Sequence, residues 1–243
     1  GLLAARAAAS GMDAPTDATS DYAAIALGLP RFDNAGLEIK EDRTPLAPVG
    51  ELLILQSYLK PFAAVRHVHY GATAALQLRD RLYARLGEVE SIALSIYDEA
   101  ITYCGNRDPQ TPIAAQFSLS FGLAAALRFG ELTPAVYRDN RFGEVGLRRL
   151  ERMVGVTADP ARSARGERGA TLTIRTAKET FAATVTTIKG DPIDPMRADE
   201  VRAKFLDYTA GRVESSAAAR FADQLITGPL EQSMATIWLA LCD

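Results

Sequence analysis

Residues 170–192 read ATLTIRTAKETFAATVTTIKGDP. Two β-rich runs, Ala170–Thr176 and Thr180–Ile188, are separated by Ala177, Lys178 and Glu179 alone, which predicts a hairpin. A second turn follows at Gly190-Asp191-Pro192. Parallel strands would need a long crossover between them. Moving outward toward the N-terminus, Glu88–Tyr97 carries Val89, Ile92, Leu94 and Ile96, a strand pattern with Val89 out of phase. Gly143–Met153 reads as a short helix with a basic patch at Arg148, Arg149 and Arg152. Thr111-Pro112 supplies an N-cap and a proline at the first helical position for an apolar, Ala-rich helix reaching Phe129, with Gly130 beyond it. Ala72–Leu86 repeats apolar residues at helical spacing and closes at Gly87. Toward the C-terminus, helices are predicted from Ala198, over Ser215–Ile226 and over Leu230–Leu239. Central strands flanked by helices, without repeated βαβ units, predict an α+β fold with a small, mostly antiparallel sheet and packed helices.

Composition limits the function. The 243 residues are 48% apolar and 23% charged, with 27 basic against 30 acidic side chains and a net charge of −3. A chain of this length can bury a core without disulfides or a metal. The near balance of charge argues against nucleic acid or an anionic membrane as the main partner. Cys104 and Cys242 are the only cysteines and have no metal-ligand spacing, which fits a reducing cytoplasm. No stretch approaches a membrane span, and the opening GLLAARAAASG lacks the basic region of a signal peptide. Residues 1–10 read as an Ala-rich helix with Gly11 as a left-handed cap, and no capping residue precedes Gly1. The expectation is a chain that starts inside a helix, as a fragment would. Residues 12–50 hold several Gly and Pro and one short helical run around Asp21–Leu27, which reads as a linker, and the apolar run Glu51–Leu59 before Lys60-Pro61 predicts a strand or a strand leading to a turn.

Polar chemistry concentrates in KPFAAVRHVHY, residues 60–70, where Lys60, Arg66, His67, His69 and Tyr70 fall between apolar segments. The two histidines are the only ones in the chain. On a strand they share a face, whereas on a helix their spacing separates them, and no third ligand stands at recognised spacing, so no metal is predicted. The cluster suits a substrate with several carboxylates: Arg66 could clamp one, and Lys60 or His69 could move a proton. A cationic loop end with one core histidine is the simpler alternative. The chain has no GxGxxG, P-loop, nucleophile elbow or HExxH, so nucleotide cofactors and common hydrolase mechanisms lack a carrier.

The run LKPFAAVRHVHYGATAALQL, residues 59–78, resembles the K-P-Y-x-x-C-R-x-x-H segment of the MmgE/PrpD family, which includes 2-methylcitrate dehydratase and cis-aconitate decarboxylase. TPIAAQFSLSFGLAAALRFGELT, residues 111–133, resembles the family's A-Q-F-S-L-P-Y helix, and GDPIDPMRADEVRAKF, residues 190–205, its G-x-P-x-x-P-M segment. The resemblance implies a lyase without metal or redox cofactor, built from an all-helical domain and an α+β lid domain and dimeric in full-length form. It implies that residues 1–50 are the end of the helical domain and a linker, 51–190 the lid, and 191–243 helices that pack back on the helical domain. Lys60 and His69 match the family's catalytic lysine and histidine, and Arg66 its motif arginine. His67, Gln116 and Ser118 are further candidates for substrate contact, although Gln116 and Ser118 could simply satisfy backbone groups within the buried helix. Lys204 reads as a solvated helical charge. Val65, Val68, Tyr70 and Phe121 depart from the family pattern, which leaves a different acid as substrate. The alternative is a binding or assembly module that keeps the fold without the chemistry.

Overall fold

A computed structural model describes residues 2–12, 25, 56–229 and 231–239. The linker and the helical run at Asp21–Leu27 lie outside these residues, Met12 and Ile25 apart, as does most of the strand predicted over Glu51–Leu59. The chain divides into two units, Gly1–Glu51 and Leu52–Asp243. In the first, α1 (Leu2–Ala9) ends as its sequence predicts, at Gly11 with φ +85°.

The second unit is built on α2 (Arg66–Leu82), which starts six residues before the apolar spacing suggests. Its first turn carries Arg66 and His67, so the helical period is hidden there. His69 and Tyr70 are nevertheless buried along with Val68, Ala72, Ala75, Leu78 and Leu82. A 3-10 turn, Tyr83–Glu88, leads into β1 (Val89–Ile96). The pairing of β1 with the hairpin shifts register between Val89 and Ser91, and this irregularity buries Val89 together with Ile92, Leu94 and Ile96.

After α3 (Asp98–Cys104), the single helix predicted from Pro112 to Phe129 is broken into α4 (Pro112–Ala115) and α5 (Leu119–Phe129). Ser118 is the reason. Its Oγ accepts the Phe121 N–H at 3.1 Å as a new N-cap, and its backbone forms an isolated bridge with Gly105. Gly130, at φ +75°, closes α5. A 3-10 turn (Pro134–Tyr137), α6 (Asp139–Phe142) and α7 (Val145–Met153) follow, and α7 runs directly into β2 (Val154–Ala158). The sequence reading contains no strand there. β2 lies parallel to β1, pairing Val154 with Ile92 and Ala158 with Ile96. α8 (Pro160–Ala164), capped by Asp159, leads to the predicted hairpin, β3 (Ala170–Thr176) and β4 (Thr180–Val185). The sheet order is β2-β1-β3-β4, with two antiparallel pairings and one parallel. α9 (Ala198–Thr209), α10 (Ser215–Thr227) and α11 (Met234–Leu239) complete an α+β fold.

α2 packs on α5 and across β3 and β4, and α5 packs on α7. A Cβ on Gly122 of α5 would lie 2.1 Å from Val68 Cγ1, so the α2–α5 approach depends on the missing side chain. Leu82, Leu94, Ile96, Leu123, Leu127, Leu172 and Ile174 are wholly or almost wholly inaccessible in this core. Phe221, Ile237 and Phe205 form a separate, smaller cluster among the last helices. Among the described residues no helix is long and apolar enough to cross a membrane.

Candidate functional site

Residues 57–65 form an irregular segment that leads into α2 and bonds to three distant points of the chain. Leu59 N–H donates to the Gly190 carbonyl at 3.0 Å, Ala63 N–H to Leu132 at 2.9 Å and Val65 N–H to Gln116 at 3.0 Å. Gly190 has φ +92°, and a Cβ there would stand 1.8 Å from the Leu59 oxygen, so only glycine permits this crossing. The segment presents Lys60, which is exposed, at the N-terminal end of α2. Lys204 Nζ donates to the Lys60 carbonyl.

Arg66, in the first turn of α2, is held by Asp191 of the Gly190-Asp191-Pro192 turn. Its Nη2 hydrogen-bonds Oδ2 at 2.8 Å and lies 2.7 Å from Oδ1 in a geometry that makes the second contact electrostatic. The guanidinium sits 4.3 Å from the centre of the Tyr58 ring, and its buried Nε has no hydrogen-bond partner. The arginine predicted to clamp a ligand carboxylate therefore already holds a carboxylate of its own chain.

The histidines lie on a helix, and their spacing separates them. His69 is wholly inaccessible: Nε2 donates to the Ala64 carbonyl at 3.2 Å, Phe62 meets its ring edge-on at 5.2 Å, and Nδ1 is buried without a partner. Burial pushes its pKa down to about 4, and the charges of Lys60, Arg66 and Lys204 act in the same direction against the Ala64 bond. His69 is neutral at pH 7. His67 hydrogen-bonds Tyr97 Oη through Nδ1 at 2.7 Å and stacks on Tyr103 with ring centres 5.9 Å apart, and burial lowers its pKa as well. This aromatic group is separate from the Lys60 end.

Ser118 Oγ donates to the Asn106 carbonyl at 2.6 Å while capping α5, which is the backbone-satisfying role weighed for it. Gln116 is partly exposed at the break between α4 and α5, where its carbonyl anchors Val65. Among the described residues no group of three or more His, Cys, Asp or Glu is placed to hold a metal ion.

Lys204 is not a solvated charge. It is partly buried, its Nζ lies 5.0 Å from the Tyr208 ring centre, and burial followed by repulsion from Lys60 lowers its pKa. One signal could have revealed it. Val201, Lys204, Phe205 and Tyr208 stand at i, i+3, i+4 and i+7, so this lysine occupies the apolar stripe of α9. The arrangement can offer positive charge to a carboxylate. The nearby carboxylate, Asp191, is committed to Arg66.

Helices packed on a mixed four-stranded sheet, with Lys60 and Arg66 at the approach to α2, define an α+β domain. Residues 62–225 match the model of the MmgE/PrpD C-terminal domain, and the chain belongs to that family. No curated protein matches the chain.

Proposed function

We propose that this chain is the C-terminal part of a cofactor-independent lyase of the dehydratase, decarboxylase or isomerase type acting on a small polycarboxylic acid. A helical domain of the family completes the cleft and supplies the remaining acid and base. In this reading Lys60 transfers the proton, neutral His69 supports it from beneath, and Lys204 and Arg66 provide positive potential for the substrate carboxylates, with Gln116 at the rim. The supporting observation is the bond from Lys204 Nζ to the Lys60 carbonyl, which brings two lysines to one loop. Elimination next to a carboxylate needs such cations, together with an acid and a base.

A binding module is the second reading. It is favoured by Asp191, which already neutralises Arg66, and by the complete burial of His69. One experiment separates them. In the chain joined to a helical domain of the family, Lys60→Ala lowers turnover by about 100-fold or more, while Lys178→Ala, on the exposed hairpin turn, leaves it unchanged. Equal, small effects of the two substitutions favour the module.

A further inference from the structure

Glu151, on α7, is 2% exposed although it is ionisable. Its Oε2 accepts from Arg148 Nη1 at 2.8 Å, and its Oε1 is buried without a hydrogen-bond partner. The same guanidinium donates through Nη2 to the Pro109 carbonyl at 3.1 Å and lies 4.5 Å from the ring centre of Phe142 and 5.4 Å from that of Phe121. Arg148 thereby fastens the loop 105–110 to α7. That loop is in turn bonded to the kink before α5, because the Asn106 carbonyl accepts from Ser118 Oγ and Gly105 forms a bridge with Ser118. Two residues before Ser118, the Gln116 carbonyl holds the Val65 N–H at the entrance to α2. A buried carboxylate matched at one oxygen is poorly compensated for its lost hydration. Burial raises the Glu151 pKa above its ordinary 4.5 against the pull of Arg148, Asp108 of the loop raises it further, and Arg152 of α7 opposes. α5 and α6 contribute the uncharged rings of Phe121 and Phe142, and Arg149 is turned to the carbonyls of Leu86, Gly87 and Val89.

We propose that Glu151 is a proton-operated latch on the loop 105–110. Charged, it orients Arg148 onto the Pro109 carbonyl. Protonated, it releases the guanidinium, and the loop and the Ser118 kink behind it loosen together. The sign is opposite to that of His69. The fold resists protonation of His69 and weakens as a whole in acid, whereas it takes up a proton at Glu151 more readily than the unfolded chain does. Proton uptake at Glu151 therefore opens one loop without drawing on global stability. The latch stands apart from the lyase reading, since none of its groups belongs to the Lys60 site.

The test is amide exchange of the full chain between pH 7.5 and pH 5, corrected for the intrinsic pH dependence of exchange, with the Glu151 carboxyl titrated in parallel by carbon NMR. The Ser118 and Phe121 amides, which bond to the Ala115 carbonyl and to Ser118 Oγ, report on the kink. In the wild-type chain their protection should fall by about threefold or more as pH drops, with a midpoint that follows the Glu151 carboxyl. Glu151→Gln, which keeps the shape without the charge, should give protection about tenfold below the wild type at pH 7.5 and no further fall. The loss of global stability that His69 brings in acid is common to both chains and cancels in the comparison. A wild-type fall that persists in Glu151→Gln overturns the proposal. So does constant protection in a chain whose Glu151 has titrated, or a carboxyl midpoint at or below 4.5. If Glu151→Gln does not fold, the two wild-type curves decide: coincident midpoints support the latch, and separate ones overturn it.

Discussion

The sheet with α2 and α5 and the trio α9–α11 are stabilised in different ways. In the first region, side chains from both layers, among them Leu94, Ile96, Leu123 and Leu127, are completely inaccessible. In the second, no residue of α9 is buried, and the centre is an aromatic stack of Phe205, Phe221 and Trp238 with ring centres 5.5 and 5.4 Å apart. Trp238 remains 61% exposed at its end. Each region contributes one ammonium to the candidate site: Lys60 comes from the segment stitched to the core, Lys204 from the thinly buried trio. The two regions are joined by a lysine-to-carbonyl bond beside the Leu59–Gly190 crossing and by Lys189, just beyond β4, whose Nζ lies 3.4 Å from Glu200 of α9. Site geometry and global stability therefore reside in different parts of the molecule, as is common where local opening is cheap.

The sharpest break of this comparison is in the core. Leu94 is wholly buried on β1 and packs on Gly71 of α2, where a Cβ would lie 3.3 Å from its Cδ2. Leu94→Ala leaves a cavity between sheet and helix, and denaturant unfolding of the whole second unit should lose about 3 kcal/mol. A loss below about 1 kcal/mol would mean that the layers close over the gap.

Acid should act next, and on the same region, through His69. Its ordinary pKa of 6.5 falls to about 4 in the folded chain, so below pH 6.5 the unfolded chain takes up a proton that the folded one refuses. The stability is fully present above pH 6.5 and is lost as pH falls through 4. Between pH 7 and pH 5 the loss from this residue is about 2 kcal/mol. Burial depresses His67 too, which adds in the same direction. His69→Gln, with an amide that can still donate to the Ala64 carbonyl, should flatten most of the dependence in denaturation curves measured at the two pH values. An unchanged slope would show that the imidazole is hydrated in solution.

How far these regions were legible follows from the range of their contacts. The β3–β4 hairpin is local, and its three-residue turn announces it; the out-of-phase Val89 already marked the irregularity in β1. β2 escaped because five residues containing Gly155 follow α7 without a break, and its pairing with β1 spans the helices between them. The kink before α5 escaped because Ser118 sits in a run that is otherwise apolar and helical. At the site, Lys60, Arg66 and His69 stood out as neighbours in sequence. Their partners did not, since Asp191 reaches Arg66 across 125 positions and Lys204 reaches Lys60 across 144. Spacing reports which side chains a segment offers, whereas tertiary structure decides which of them are already engaged.

The smallest global effect should come from the trio, and it tests the comparison most directly. Phe221 is 7% exposed and lies between Phe205 and Trp238, so Phe221→Ala removes the middle ring of the only stack joining the three helices among the described residues. A ring in a full core costs about 3–5 kcal/mol when truncated, but this cluster is open on one side. The lost contacts lie within the trio. Global unfolding should therefore shift by about 1 kcal/mol or less, whereas amide exchange in α9–α11 should accelerate by about tenfold or more with β1, β3 and α5 unchanged. Because Lys204 rides on α9, its link to the Lys60 carbonyl should loosen in the same variant. A uniform rise in exchange over the sheet and the trio together would show that the two regions unfold as one, and the separation between core stability and site geometry would then fail.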